Sequence, residues 1–255
     1  MTKLRKAILR VPGSVFAYHS LKKLVSLPRF ASDFVTFRRK KSHDGRFSVK
    51  VSDFFPCLID RTATTSFEPH YIYHPAWAAR IVAETRPERH VDIASTLHFC
   101  TMLSAFVPVD FYDYRPAMIN LDNLTSKEAD LTKLHFETDS VKSLSCLHTV
   151  EHVGLGRYGD PIDPQGDILA ARELSRVVAP GGSFIFVTPV GKPKIAFNAH
   201  RIYSYDQVLA LFPDLKLKEF SMVPDDFKKH GLIRNADPKT VPLQEWACGC
   251  FWFTK

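Results

Sequence analysis

Residues 141–191, VKSLSCLHTVEHVGLGRYGDPIDPQGDILAARELSRVVAPGGSFIFVTPVG, decide the fold of this chain. The run at 140–147 reads as a strand, 166–179 as a helix and 183–188 as a second strand. Pro180-Gly181-Gly182 supplies the turn chemistry between helix and second strand. Strand, helix, strand in that order is a right-handed βαβ unit, the element from which parallel sheets are built. The loop after the first strand is densely polar. It holds His148, Glu151, His152, Arg157, Tyr158 and Asp160, interrupted by Gly154, Gly156 and Gly159. Ligands of open α/β sheets bind outside the carboxyl ends of the strands, which is where this loop lies.

The pattern continues on both sides. Upstream, residues 46–60 alternate as a strand that stops at Pro56. Pro75 is expected to open the helix PAWAARIVAETRPE, because proline suits a first helical turn. HVDIAS (90–95) follows as the first core strand, then a short helix at 97–106, the strand VDFYDY (109–114) and a helix over 116–124. Downstream, Ser204 and Gln207 form a capping box for the helix YDQVLALF. The runs 215–223 and 245–255 read as a terminal antiparallel hairpin. The expected architecture is an α/β fold with a mostly parallel sheet and that hairpin at one side.

Charge divides the chain. Of 255 residues, the first fifty hold thirteen Lys or Arg against two acids, while the remainder is mildly acidic and the net charge is +7. Residues 1–45 are therefore read as a basic amphipathic segment and 46–255 as the α/β domain. The apolar positions Leu4, Ile8, Val11, Val15, Tyr18, Leu21, Leu24 and Val25 recur with helical spacing among the basic residues, and the segment ends in Arg38-Arg39-Lys40-Lys41. It has three open roles: lying on an anionic membrane surface, docking a protein partner, or capping the main domain. Nucleic acid is disfavoured, because the body is acidic and no basic-aromatic stacking pattern recurs. No secretory leader and no membrane span is expected. Five cysteines, an odd number, read as reduced buried thiols of a cytosolic protein.

Several polar residues fall at strand ends. Asp113 closes the second strand, twenty-one residues after Asp92 in the first. A carboxylate at that distance is placed to accept from the vicinal hydroxyls of a ribose. Asp92 lies within an apolar strand and needs buried partners, which would order the following turn. Asp130-Leu131 offers an acid for the edge of an adenine and an apolar residue for its face. His148 and His152, four apart, share a face on a helical turn, but no HExxH pattern exists and no metal is expected. Either imidazole is a candidate general base for an alcohol. Glu151, Arg157, Tyr158 and Asp160 read as recognition groups for a hydroxylated or anionic acceptor. Asn198, His200 and Arg201, after the fifth strand, are expected to complete that pocket. The three loop glycines follow the wrong strand for a dinucleotide fingerprint.

Taken together, HVDIAS, Asp113, Asp130-Leu131, SLSCLHTVEHV and ELSRVVAPGGSFIFVTPVG resemble the class I S-adenosylmethionine-dependent methyltransferases. More narrowly, EHVGLGRYGDPIDPQGD with FNAHRIYS is similar to a family of bacterial and nematode proteins, domain of unknown function 268. The resemblance covers residues 50–225. It implies a Rossmann-like seven-stranded sheet with the last strand antiparallel. It also implies S-adenosylmethionine as cofactor, held by Asp113 at the ribose, Asp130 and Leu131 at the adenine, and Asp92, Ser95 and Thr96 at the methionine end. Two positions depart from the superfamily. Ala94-Ser95-Thr96 stands where glycines are usual, and Lys142 replaces a common acid in the fourth strand.

The resulting expectation is a cytoplasmic O-methyltransferase acting on a sugar or glycan precursor of polysaccharide biosynthesis, with the possibility of peripheral attachment at the inner face of the membrane. The rival is a degenerate methyltransferase fold that binds or assembles without S-adenosylmethionine.

Overall fold

A computed structural model describes residues 14–40 and 46–255. Leu4, Ile8, Val11 and Lys41 of the basic segment lie outside the described residues. By internal contacts the chain separates into two units, Met1–Ser66 and Phe67–Lys255. The compact body thus begins at Phe67, later than the expected boundary at residue 46.

In the first unit, helix α1 spans Ser14–Lys40 and ends in Arg38, Arg39 and Lys40. Its Leu21, Leu24 and Val25 are exposed. Phe54 packs edge-on against Phe30 and Phe34, with ring centroids 5.3 and 4.5 Å away. The strand expected over 46–60 does not form. The stretch holds one 3₁₀ turn, Val51–Asp53, with no buried residue. Its alternation has no neighbouring strand to pair with.

The second unit opens with α2, Pro69–Thr85. The Glu68 carboxylate accepts the Tyr71 N–H at 2.9 Å, and Pro69 takes the first helical turn. These signals place the start one and a half turns before Pro75, which lies inside the helix instead of opening it. Then come β1 (His90–Ile93), α3 (Leu97–Leu103), β2 (Val109–Asp113), β3 (Leu124–Glu128) and β4 (Val141–Leu147). After β4 come α4 (Gly166–Val177), β5 (Val178–Val190), β6 (Lys194–Ala196), β7 (His200–Ile202) and α5 (Tyr205–Leu211). The chain finishes with β8 (Lys216–Val223), the short α6 (Phe227–His230) and β9 (Ala247–Thr254).

Seven strands form the main sheet in the order β3-β2-β1-β4-β5-β9-β8. All neighbours from β3 to β5 are parallel, while β9 runs against both β5 and β8. The expected fold and its terminal hairpin are therefore present. Three local expectations fail. Residues 116–124 are not helical, and β3 follows them unannounced. Its burial is sparse because it is the edge of the sheet, so it carries little apolar signal. Pro180–Gly182 is a bulge within the continuous strand β5, where the register against β4 shifts. The loop expected at 189–203 contains the hairpin β6–β7.

Helices cover both faces. Trp77, Ile81 and Val82 of α2 and Phe99 and Leu103 of α3 pack with Phe111, Leu147, Ile185 and Trp252 on one side. On the other, Ala170, Leu174 and Val177 of α4 and Val208 of α5 pack with Ile93, Leu144, Phe186 and Phe251. The capping box forms as expected, with Ser204 and Gln207 exchanging hydrogen bonds at 3.2 and 2.9 Å.

A buried carboxylate ties α2 to the sheet. Glu219 on β8 accepts from the Trp77 indole N–H at 2.9 Å, from Ser221 Oγ at 2.6 Å and from Arg234 Nε at 3.0 Å. Burial alone would raise its pKa, but the hydrogen bonds from Arg234, Ser221 and Trp77 hold it down to about 2. A depressed acid contributes stability above its unfolded pKa, and that stability is lost as pH falls through the folded value. Urea unfolding between pH 5 and pH 2.5 should therefore show a steeper loss in the wild type than in Glu219→Gln. Glu219→Ala should cost about 1–3 kcal/mol at pH 7 by orphaning the Trp77 N–H.

Candidate active site

The carboxyl ends of β1, β2 and β4 and the loop after β3 surround a cavity of about 260 Å³. Its wall includes Ile93 and Ala94 at the end of β1, Asp113 and Arg115 at the end of β2, and Ala129, Asp130 and Leu131 after β3. The polar loop after β4 adds His148, Thr149, His152, Tyr158 and Asp160.

The floor is organised by Asp92, which is fully buried. Its carboxylate accepts the Ser95 N–H at 3.0 Å and the Ser145 hydroxyl of β4. Because Ser145 Oγ donates to Asp92, it accepts from His90 Nε2 at 2.8 Å, and His90 Nδ1 then accepts from Ser143 at 2.8 Å. Burial lowers the His90 pKa to about 3, so the ring is neutral. Ser95 Oγ accepts the Leu147 N–H at 3.0 Å, and Thr149 Oγ1 donates to the Ala94 carbonyl at 2.9 Å. Ends of β1 and β4 are thus stitched by side chains. Ala94 sits at φ +57°, a left-handed conformation that favours glycine. The turn holds this backbone conformation with an alanine in it, and Ala94 lines the cavity.

Asp113 and Asp130 share a posture. Asp113 Oδ1 accepts the Arg115 N–H at 2.7 Å. Asp130 Oδ1 accepts from Thr132 N–H at 2.8 Å and Thr132 Oγ1 at 2.7 Å. Each carboxylate keeps its second oxygen for another donor. Leu131 is buried beside them. Asp92, Ser95 and Thr96 are not on the wall; Asp92 and Ser95 hold the turn from beneath by their hydrogen bonds.

His148 lies at φ +57°, immediately after β4. A non-glycine residue held there signals a position over-determined by its surroundings. Its Nδ1 meets Glu151 at 2.7 Å. Glu151 is completely buried and also accepts from Thr188, so it is a partner of His148 and not an acceptor-binding group. His152 Nδ1 donates to the Ala199 carbonyl at 2.6 Å, which leaves the lone pair on Nε2. Burial lowers the His152 pKa from its ordinary value, outweighing the attraction of Glu151.

Of the remaining expected recognition groups, Tyr158 fits best. It is flanked by Arg115 and Arg157, whose guanidinium carbons lie 4.6 and 5.0 Å from its ring centroid. Asp160 touches the cavity, but its oxygens hold the amides of Gly154, Gly156 and Tyr158 at 2.8, 3.3 and 3.1 Å. It orders its own loop. Gly154 is required there: at φ +78° an added Cβ would lie 2.0 Å from the Asp163 carbonyl. Arg201 is buried and latched to the carbonyls of Val153 and Pro164 at 2.6 and 3.3 Å, so it is structural. His200 stacks on Trp246 at 5.6 Å, and Asn198 is exposed on the turn of the β6–β7 hairpin; neither lines the cavity. Arg115 was not foreseen, although its place directly after Asp113 and Tyr114 at a strand end was a signal.

This strand order with one reversed strand, and a cavity over its carboxyl ends, is the class I methyltransferase fold. A provisionally assigned methyltransferase of Bacillus halodurans C-125 superposes with a TM-score of 0.50 at 13% identity, covering 70% of this chain and 97% of its own. A provisionally assigned sarcosine dimethylglycine methyltransferase of Galdieria sulphuraria gives 0.50 at 13%, covering 70% and 84%. A geranyl diphosphate methyltransferase in complex with SAM gives 0.50 at 13%, covering 71% and 84%. Residues 107–219 match the family model described as "Caenorhabditis protein of unknown function, DUF268". No curated protein matches the chain by sequence.

Burial raises the Asp92 pKa to about 6, against the opposing hydrogen bonds from Ser145 and Ser95. A raised folded pKa means stability is complete below the unfolded value near 4 and is lost as pH rises through about 6. Relative to Asp92→Asn, the wild type should lose on the order of 3 kcal/mol of unfolding free energy between pH 4 and pH 7. Chemical denaturation at several pH values reads this directly; equal slopes for both proteins would contradict it.

Proposed function

We propose that this chain is an S-adenosylmethionine-dependent methyltransferase acting on a hydroxyl group. The reading is carried by Asp113 and Asp130, carboxylates at successive strand ends on the wall of one cavity that His152 also lines. Asp113 would hold the ribose hydroxyls with the oxygen that Arg115 N–H leaves available. Asp130 would meet the adenine edge, with Leu131 and Ala129 against its face. Asp92 and Ser95 fix the turn carrying Ala94 toward the methionine end. When bound, the cofactor supplies an electrophilic methyl group on a sulfonium sulfur.

Methyl transfer is chiefly a problem of positioning two reactants. His152 is set to take the acceptor proton at Nε2, since its Nδ1 proton is committed to Ala199. Its depressed pKa keeps it neutral near pH 7. Tyr158 between Arg115 and Arg157 suits a hydroxylated ring that also carries phosphate or carboxylate, which supports a sugar or glycan precursor as acceptor. One observation favours the rival, a binding protein that does not use the cofactor: Ala94, on the cavity wall, carries a Cβ that a glycine would lack.

Calorimetric titration with S-adenosylmethionine and S-adenosylhomocysteine decides between them. Binding at micromolar to sub-millimolar concentration is expected. Asp113→Ala should weaken it at least tenfold, while His152→Ala should retain binding and lower kcat by about 10²–10⁴. Absence of binding at millimolar cofactor would leave the rival reading.

The location we propose is cytoplasmic, with residues 1–45 on an anionic membrane surface. The exposed Leu21, Leu24 and Val25 of α1 among basic residues support this reading. Among the described residues no helix is long and apolar enough to cross a membrane. Liposomes containing phosphatidylserine should float the whole chain at low salt and release it at high salt. Equal flotation of a chain lacking residues 1–45 would refute the role of that segment.

A further inference from the structure

Beside the cavity, on the α2 face of the sheet, lies a cluster that shares only His148 with the cavity wall. His70 and His74 stand one helical turn apart on α2. His148 follows β4, and Cys248 is near the start of β9. All four are buried. The His70 and His148 rings stack at 5.3 Å with an interplanar angle of 14°, and the His74 ring centroid lies 5.0 Å from that of His148. Among the described residues, His70, His148 and Cys248 form a group whose ligand atoms all lie within 4.8 Å of one another.

Apolar packing does not account for this group. The His148 Nε2 is buried with no hydrogen-bond partner, as are both ring nitrogens of His74. Leaving a buried polar atom unpaired is destabilising, so such an atom calls for a partner. The His148 Nδ1 donates to the Glu151 carboxylate at 2.7 Å, which in the neutral ring leaves the lone pair on the unpartnered Nε2. A histidine whose second nitrogen donates to a carboxylate is the usual arrangement of a metal ligand.

We propose that His70, His148 and Cys248 bind one divalent ion of the zinc class. Two imidazoles and a thiolate are borderline-to-soft donors, which select zinc or cobalt over magnesium or calcium. Bond lengths of about 2.0–2.1 Å to nitrogen and 2.3 Å to sulfur put tetrahedral ligand atoms roughly 3.3–3.6 Å apart. The observed spacing requires side-chain adjustments on the order of 1 Å. Charge balances locally: the Cys248 S–H bond breaks, its proton leaves to solvent, and the thiolate with the Glu151 carboxylate neutralises the ion. His74 is a further imidazole beside the set. Bound there, the ion joins α2, the end of β4 and β9, and it uses none of the residues assigned to hold the cofactor.

The whole chain, stripped with a chelator and checked for folding by circular dichroism, is titrated with Co²⁺ and then Zn²⁺. The proposal expects one Co²⁺ per chain, a thiolate-to-cobalt charge-transfer band, displacement by Zn²⁺ and a higher Tm with Zn²⁺; Mg²⁺ should do none of this. Cys248→Ser should abolish the band, whereas Cys250→Ser, 3.8 Å away in the same strand, should keep it. His70→Gln, in the first turn of α2, should weaken binding at least tenfold without loss of fold. A folded wild type that takes up neither metal, or a band that persists in Cys248→Ser, would overturn the proposal.

Discussion

A single buried carboxylate sets the geometry on which the cavity depends. Asp92 cannot be left unpaired inside the sheet, so the chain brings it the Ser95 amide and the Ser145 hydroxyl. Those two partners belong to the turn after β1 and to β4, so satisfying one charge fixes the spacing between both strand ends. His90, Ser143, Ser95 and Thr149 extend the same network along the seam. The position of Ala94, and with it the shape of the floor, follows from this hydrogen bonding more than from apolar contact.

Above the floor, the polar loop divides into groups facing inward and groups facing the cavity. Glu151, Arg201 and Asp160 bind other parts of the protein, and each fixes a segment: the His148 ring, the loop near Pro164, and the amides around Gly156. Tyr158, Arg115 and His152 remain for ligand chemistry. A loop so rich in charge is held still mostly by its own charges. That is the same economy seen at Glu219, where one carboxylate serves an indole, a hydroxyl and a guanidinium.

The βαβ rhythm and the strand-end acids were legible because they are local. Periodicity marks β1, β2, β4 and α4, and Asp113 announces itself by its place at a strand end, whereas Asp130 stood out only as an acid beside an apolar residue. The edge strand β3 was not legible, since an exposed edge carries mixed polarity. The α2 start was hidden by Pro75, a plausible opener that Glu68 and Pro69 outrank. What the loop residues do was legible only as a group. Whether Glu151 or Tyr158 faces the cavity depends on the φ angle of His148 and on Thr188 and Ala199, the last two distant in sequence. The cluster of His70, His148 and Cys248 is assembled entirely by topology, so no spacing within the chain could reveal it.

The Ala199 carbonyl accepts from both His152 Nδ1 and Arg157 Nη1, at 2.6 and 3.0 Å. This acceptor belongs to the backbone, in the short turn between β6 and β7 and outside the seven-stranded sheet. The tautomer of His152 is therefore written by main chain, and no side-chain replacement at 199 erases it. Only displacement of the hairpin does. Side-chain variation at the β6–β7 turn can thus proceed while the Ala199 carbonyl stays in place, so the surface chemistry of this turn and the hydrogen bonding of the imidazole are separable.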